Sequence, residues 1–363
     1  MQKMNKTTAS QIISGVLKFL AVAIVIVGVI VVIIPSLLSI VKSKDIPPID
    51  DSKLQLQVIN IPKEENAFYD LDKIRDVIDL KNIPVGKELV SGYLESDQWN
   101  QEAVTLLLAD NEDVLQHYTD AAIKGKFQLP DADNPSKILS DMPVTPLNSW
   151  REASHLSGVK AIFLAKNGNN KEALDEAFKS IIIGNAIENS QGLIITNLLG
   201  IAIKDTGLDS LKKVVSIIKN PSALSEYRNK LENYRAKGNS SPFITEYLVS
   251  KQALGNIEQG VNNQLGAIGR IFVKNNFYYK KNLTLSYYYN FYNKLAIEAG
   301  KDCLDQKKVQ QSIDSLTTNV FKMYFTENVF GKYSVEISEI ALNNVLERKC
   351  ATEKKLNDII LGH

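Results

Sequence analysis

From Phe19 to Val41 the chain reads FLAVAIVIVGVIVVIIPSLLSIV, without a single charged residue. At about 1.5 Å per residue, roughly 23 helical residues span about 34 Å, enough to cross a hydrocarbon core of about 30 Å with some tilt. The run is longer than the apolar part of a secretory signal, and Ser39-Ile40-Val41-Lys42-Ser43-Lys44 offers no small-x-small cleavage pattern. The expectation is an uncleaved transmembrane anchor. Pro35 is expected to kink it, with Ser39 or water satisfying the freed carbonyl. Lys3, Lys6 and Lys18 precede the run, and Lys42 and Lys44 follow it. Counting cations, this favours a cytoplasmic N-terminus and an extracytoplasmic body.

The remainder of the 363 residues is long enough for a sizeable core and for two lobes. With 42 Lys plus Arg against 41 Asp plus Glu, the formal charge is +1 and supplies no field that would recruit nucleic acid. Most cations are Lys, whereas bidentate phosphate recognition leans on Arg. In an oxidising compartment Cys303 and Cys350 would close a loop of about 47 residues, worth about 4 kcal/mol in the chain-entropy picture. The alternative is two unrelated thiols, since sequence does not show whether their Cα atoms approach.

After the anchor, KSKDIPPIDD reads as a short stalk stiffened by Pro47-Pro48. Near-alternation of Leu54, Leu56, Val58 and Ile61 suggests one short strand, or an extended arm laid on the body. Helical signals then take over. Pro62, Glu64 and Glu65 open a helix with the stripe Phe68, Leu71, Ile74 and Ile78. A single long helix is expected from Asp97 to about Lys124, with Val104, Leu107, Leu108, Val114, Leu115 and Tyr118 on its buried side. The Pro- and Asp-rich connection that follows contains Asp131, Asp133 and Asn134 but lacks the Gly and bidentate Glu of a calcium loop, so turn chemistry explains it.

Ala153, Leu156, Val159 and Phe163, then the turn Asn167-Gly168-Asn169-Asn170, then Ala173, Ala177, Ile181 and Gly184, describe two closely packed antiparallel helices. The small-residue spacing is that of a tetratricopeptide hairpin, but no second copy follows at a fixed period. GLIITNLLGIAI, at 192–203, is too short to span a bilayer and reads as a central buried helix. Leu208, Leu211, Val214, Val215 and Ile218 mark another helix ended by Asn220-Pro221, and a charged helix stops at Gly238. Asn282 is expected to cap a helix with the stripe Leu285, Tyr288, Tyr289, Tyr292, Leu295, Ala296 and Ala299. Tyr288, Tyr289 and Tyr292 are candidates for a groove that takes a peptide or glycan by aromatic contact, but ordinary core packing with the phenol hydroxyls reaching the surface is the favoured reading. Helical patterning continues from Val309 through Asp358.

The histidines, His117, His155 and His363, lie far apart. Asp113 and His117, four residues apart, suit a solvated ion pair better than a metal site. No H-E-x-x-H, C-x-x-C, G-x-S-x-G, Walker or G-x-G-x-x-G pattern occurs. Glu152 beside His155, or Glu64 and Glu65, remain able to join a carboxylate site assembled from distant helices.

Five short marks occur in order: IPKEENAFYDL at 61–71, Gly168 with Glu172-Ala173, Leu198-Leu199-Gly200, Asn282-Leu283-Thr284-Leu285, and Asn328-Val329-Phe330-Gly331-Lys332. Together they resemble a family of bacterial proteins with an N-terminal membrane anchor and an all-helical body. The resemblance implies fold class and address and brings no activity or catalytic residue; it fades around 251–274.

The expected architecture is therefore all-α: a transmembrane helix followed by an irregular helical bundle or hairpin array with at most one short strand. The segments are a cytoplasmic N-terminus at 1–18, the anchor at 19–41, a stalk at 42–53, a first lobe at 54–148 and a main domain at 149–363. No catalytic, cofactor-binding or metal-ligating residue is assigned, and no cofactor is implied. The expected role is non-enzymatic binding or scaffolding in the cell envelope, with the membrane and a protein or envelope polymer as partners. A carboxylate-based envelope hydrolase or transferase, and a cytoplasm-facing tethered adaptor, are the alternatives.

Overall fold

In the computed structural model of the chain, the described residues are 33, 37, 44–57, 59–77, 99–130, 146–219, 225–235, 238–255, 279–303 and 327–362. Among them helix is the dominant regular structure; a lone parallel bridge pairs Asn66 with Lys126, and no strand forms. The fold is all-α. No helix among the described residues is long and apolar enough to cross a membrane. The expected anchor lies outside the described residues except for Ile33 and Leu37, which are helical and exposed.

The chain divides into two compact units, 1–50 with 253–288 and 312–337, and 51–252 with 289–311 and 338–363. This differs from the expected boundary at 148/149, because the two expected lobes share one core. After a 3-10 turn at Lys63–Glu65 come α1 (Phe68–Val77), α2 (Gln101–Asp110) and α3 (Glu112–Lys124). Leu71, Ile74, Val104, Val114 and Tyr118 from these helices pack with Trp150, Ala153, Leu156 and Val159 of α4 (Pro146–Lys166) and with Ile183 and Ile187 of α5 (Asn170–Glu188). Phe68, Phe127 and Trp150 meet edge to face, and the Trp150 indole donates to the Leu71 carbonyl at 2.8 Å. That bond satisfies the one polar atom of a side chain only 1% exposed.

The single helix expected from Asp97 is broken. The buried Asn111 amide donates to the Leu107 carbonyl at 2.9 Å, occupying the acceptor that its own backbone N–H would use, and a new helix starts at Glu112. The expected hairpin forms from α4 and α5, with Gly168 at φ 83°, where a side chain would be strained. The two helices expected at 192–203 and around 208–218 are one, α6 (Ile194–Ile218), a 25-residue helix ended by Lys219 in the left-handed region. α5 and α6 approach through Gly184 and Gly200, where an added Cβ would overlap the backbone of Lys204 or Glu188.

The larger unit also contains α7 (Ser225–Glu232), whose end precedes Gly238; that glycine lies instead against the backbone of Gly300, where no Cβ fits. It takes in most of α8 (Ser241–Gly255), the second half of α9 (Lys281–Ala299) and the C-terminal part of α10 (Val329–Leu361). Leu356 and Ile359 of α10 join a second apolar cluster with Ala177, Ile181, Leu208, Leu211 and Leu231.

In the smaller unit, α9 begins at Lys281 rather than being capped by Asn282. The Asp45 carboxylate caps it from outside, accepting from the Asn282 and Leu283 backbone N–H groups at 2.7 and 3.0 Å. A carboxylate is favoured there by the positive end of the helix dipole. The Asn328 carbonyl oxygen accepts from the Lys280 N–H at 2.8 Å and the Thr284 hydroxyl at 3.0 Å. Two of the short sequence marks, around Asn282 and Asn328, thus form one joint, and Gly331 is required because a Cβ would overlap Thr284.

Candidate functional site

Tyr292, 2% exposed, and Tyr288, 8% exposed, are buried, and Tyr289 is half-buried. Together with Leu285, Leu295, Ala296 and Ala299 they make the stripe that the sequence indicates, directed inward. In the larger unit the rings of Tyr289 and Tyr292 lie 6.1 and 6.2 Å from that of Tyr247 on α8. The Tyr247 hydroxyl donates to Asp51 at 2.6 Å, and the Lys251 ammonium donates to the same oxygen at 2.5 Å. Of this aromatic group, the Tyr247 hydroxyl ends on Asp51. Burial pushes Asp51 up, but hydrogen bonds from Lys251 and Tyr247 outweigh it and hold its pKa below the usual value. Burial, then the Asp51 carboxylate, raises that of Tyr247, so the phenol stays a donor.

The segment around Asp51 is held in an unusual way. Asp51 to Leu54 is a turn, closed by the Leu54 N–H on the Asp51 carbonyl at 3.0 Å, with Leu54 only 2% exposed. Residues 55–57 and 59–62 carry neither helix nor strand. Along this stretch the buried Gln191 amide donates to the Gln57 carbonyl. Gln128 donates to the Ile59 carbonyl and accepts from the Ile61 N–H at 3.0 Å. Gln128 is itself fixed by Asn66, which donates to its carbonyl at 2.8 Å and accepts from its N–H at 3.1 Å. Asn66 belongs to IPKEENAFYDL, so this mark positions a backbone-reading amide. The sequence singled out the arm but none of Asp51, Tyr247, Lys251, Gln128 or Gln191, since isolated polar residues on separate elements leave no periodic signal.

Cys303 and Cys350 are paired as a disulfide with Cα atoms 5.2 Å apart. Beside Cys350, α10 sends Lys349 and Glu353 into a buried charge group with Glu188 of α5 and Lys204 of α6. Lys204 Nζ lies 2.6 Å from Glu353 and 3.3 Å from Glu188, and its side chain has no exposed surface. Burial lowers the pKa of Lys349, against the pull of Glu188 and Glu353. These carboxylates and ammonium groups satisfy one another, which suits docking of the C-terminal helix.

His155 Nδ1 is 3.8 Å from Glu152, yet burial first and Arg151 second lower its pKa to about 4, so the imidazole is neutral at pH 7 and the contact is not an ion pair. Glu64 and Glu65 stand at the exposed 3-10 turn, with Glu65 on Lys126 at 2.5 Å. Asp113 is exposed and His117 half-buried. Among the described residues no group of His, Cys, Asp and Glu suits a metal; Asp131, Asp133 and Asn134 lie outside them.

What fold and site define is a class: an all-α body against which an extended segment after Asp51 is held by side-chain contacts from Tyr247, Lys251, Gln191 and Gln128. No protein-family model matches the chain, and no curated protein or solved structure is similar to it. The likeness to anchored helical bacterial proteins thus rests on the five sequence marks alone.

Proposed function

We propose that this chain is a single-pass envelope protein whose helical body, outside the membrane, binds a partner protein or envelope polymer without catalysing a reaction. The observation that carries the reading is the uninterrupted apolar run Phe19 to Val41, long enough to cross a bilayer. The cation count on its flanks supports a cytoplasmic N-terminus. The paired Cys303 and Cys350 support an oxidising compartment for the body. The hold on the segment after Asp51 supports binding over catalysis, because its contacts are directed at a backbone and a turn carboxylate.

The test is added protease on intact, wall-stripped cells, read by antibodies to the body. Digestion of the body with the N-terminus protected is expected. Full protection of the body while a known external protein is digested overturns the localisation.

A further inference from the structure

Three segments far apart in sequence close on one another in the smaller unit, and one of them, 44–46, begins three residues beyond Val41. The Lys44 carbonyl accepts from the Lys280 ammonium at 2.8 Å, and the Ile46 carbonyl accepts from the Asn282 amide at 2.8 Å. Between them, the Asp45 carboxylate caps α9. The same ammonium pairs with Glu327, and Asn328 accepts from the Lys280 N–H and the Thr284 hydroxyl, so the start of α10 belongs to the same joint. Lys280 is 5% exposed and Asn328 is fully buried, which makes these the contacts of a packed joint rather than of a passing loop.

Covalent geometry limits how far this joint can stand from the membrane. Val41 and Lys44 are three residues apart, and three extended residues reach at most about 11 Å. With Val41 at the edge of the hydrocarbon, the Lys44 carbonyl is within about 11 Å of that edge and the Lys280 ammonium within about 14 Å. The headgroup layer beyond the edge is itself about 5–7 Å thick. A stalk running free as far as Lys53 would instead allow about 40 Å. We propose that the joint clamps the body to its anchor and seats the starts of α9 and α10 against the lipid headgroups. Lys44 and Lys281, both exposed there, are cations suited to the phosphates of that layer. The acids beside them are engaged, Asp45 with the α9 N–H groups and Glu327 with Lys280. The inference rests on Phe19 to Val41 crossing the bilayer, as proposed above, and adds which face of the body meets the lipid.

The test uses the full chain in vesicles of phosphatidylcholine and phosphatidylglycerol in which some lipids carry a nitroxide on the headgroup. Cys303 and Cys350 are paired, so Lys281→Cys supplies the thiol that takes a fluorophore. Strong quenching by the headgroup nitroxide is expected. Its loss is expected when a flexible Gly-Ser insert of about twelve residues between Lys42 and Ser43 lets the joint drift by about 20 Å. Both proteins are checked for an unchanged melting transition. Quenching no greater than that of the free fluorophore, on a chain that floats with the vesicles and resists alkaline extraction, overturns the seating. Quenching undiminished by the insert overturns the clamp in favour of a face that holds lipid unaided. A chain that neither floats nor resists extraction overturns the anchor and this inference with it, so the two failures are told apart.

Discussion

Lys204 is the residue at which a single substitution tests the buried charge group joining α5, α6 and α10. Its ammonium sits 2.6 Å from Glu353 and 3.3 Å from Glu188, on a side chain with no exposed surface. Lys204→Met keeps the length of the stem and deletes the charge, leaving two buried carboxylates with Lys349 as the cation beside them. Breaking a buried pair by removing one partner costs about 3–5 kcal/mol, because the surviving charge keeps its desolvation penalty. At roughly 2–4 °C per kcal/mol for a body of this size, Tm falls by roughly 6–20 °C. Adding Glu353→Gln removes one stranded carboxylate and is expected to recover at least about 1 kcal/mol of that loss, so the double variant is more stable than Lys204→Met alone. The assay is thermal unfolding of the full chain in detergent by circular dichroism, completed as a double-mutant cycle. A Lys204→Met variant within about 1 kcal/mol of wild type, or strictly additive effects, would refute the view that these charges act as one buried unit.

Gly184→Ala and Gly200→Ala each place a methyl group on the backbone of the facing helix, so α5 and α6 must separate; a loss of about 1–3 kcal/mol or more is expected in thermal melts, against less than about 0.5 kcal/mol for Ala at the exposed Glu226. Reduction of Cys303–Cys350, or the double change to Ser, removes a restraint on a 47-residue separation and is expected to lower stability by about 4 kcal/mol, with two thiols appearing on alkylation and altered gel mobility. His155 is neutral in the fold down to about pH 4, while in the unfolded chain it takes a proton below its ordinary 6.5. The unfolded state therefore binds more protons between those values, and stability is expected to decline as pH falls from about 6.5 to 4, by up to about 3 kcal/mol. His155→Gln should flatten that part of the pH–stability curve; an unchanged curve refutes the assignment.

The division between what was legible and what was not follows the range of the interactions. Helical periodicity is local, so the class of the fold, the α4–α5 hairpin with Gly168 at its turn, and the inward stripe of α9 could all be read from spacing. The apolar run Phe19 to Val41 announces itself for the same reason: its length and lack of charge are properties of one stretch. The helix breaks were less legible, because Asn111 interrupts a periodic segment by a side-chain bond to Leu107 that leaves the pattern intact.

What only the tertiary structure decided are the pairings across long separations. Asp51 meets Tyr247 from 196 positions away, and Lys204 meets Glu353 from 149. A polar residue in isolation reads as a solvated surface residue, and whether it is buried against a complementary charge depends on where two helices cross. For α5 and α6, the elements that carry Glu188 and Lys204, the close approach is at Gly184 and Gly200; spacing flagged Gly184 but not the Gly200 it meets. Sequence alone determined a helical body behind a membrane-length apolar run and suggested an extended arm laid on it; the packing of that body decided which residues hold the arm, Tyr247, Lys251, Gln191 and Gln128, because they come together only where separate elements meet.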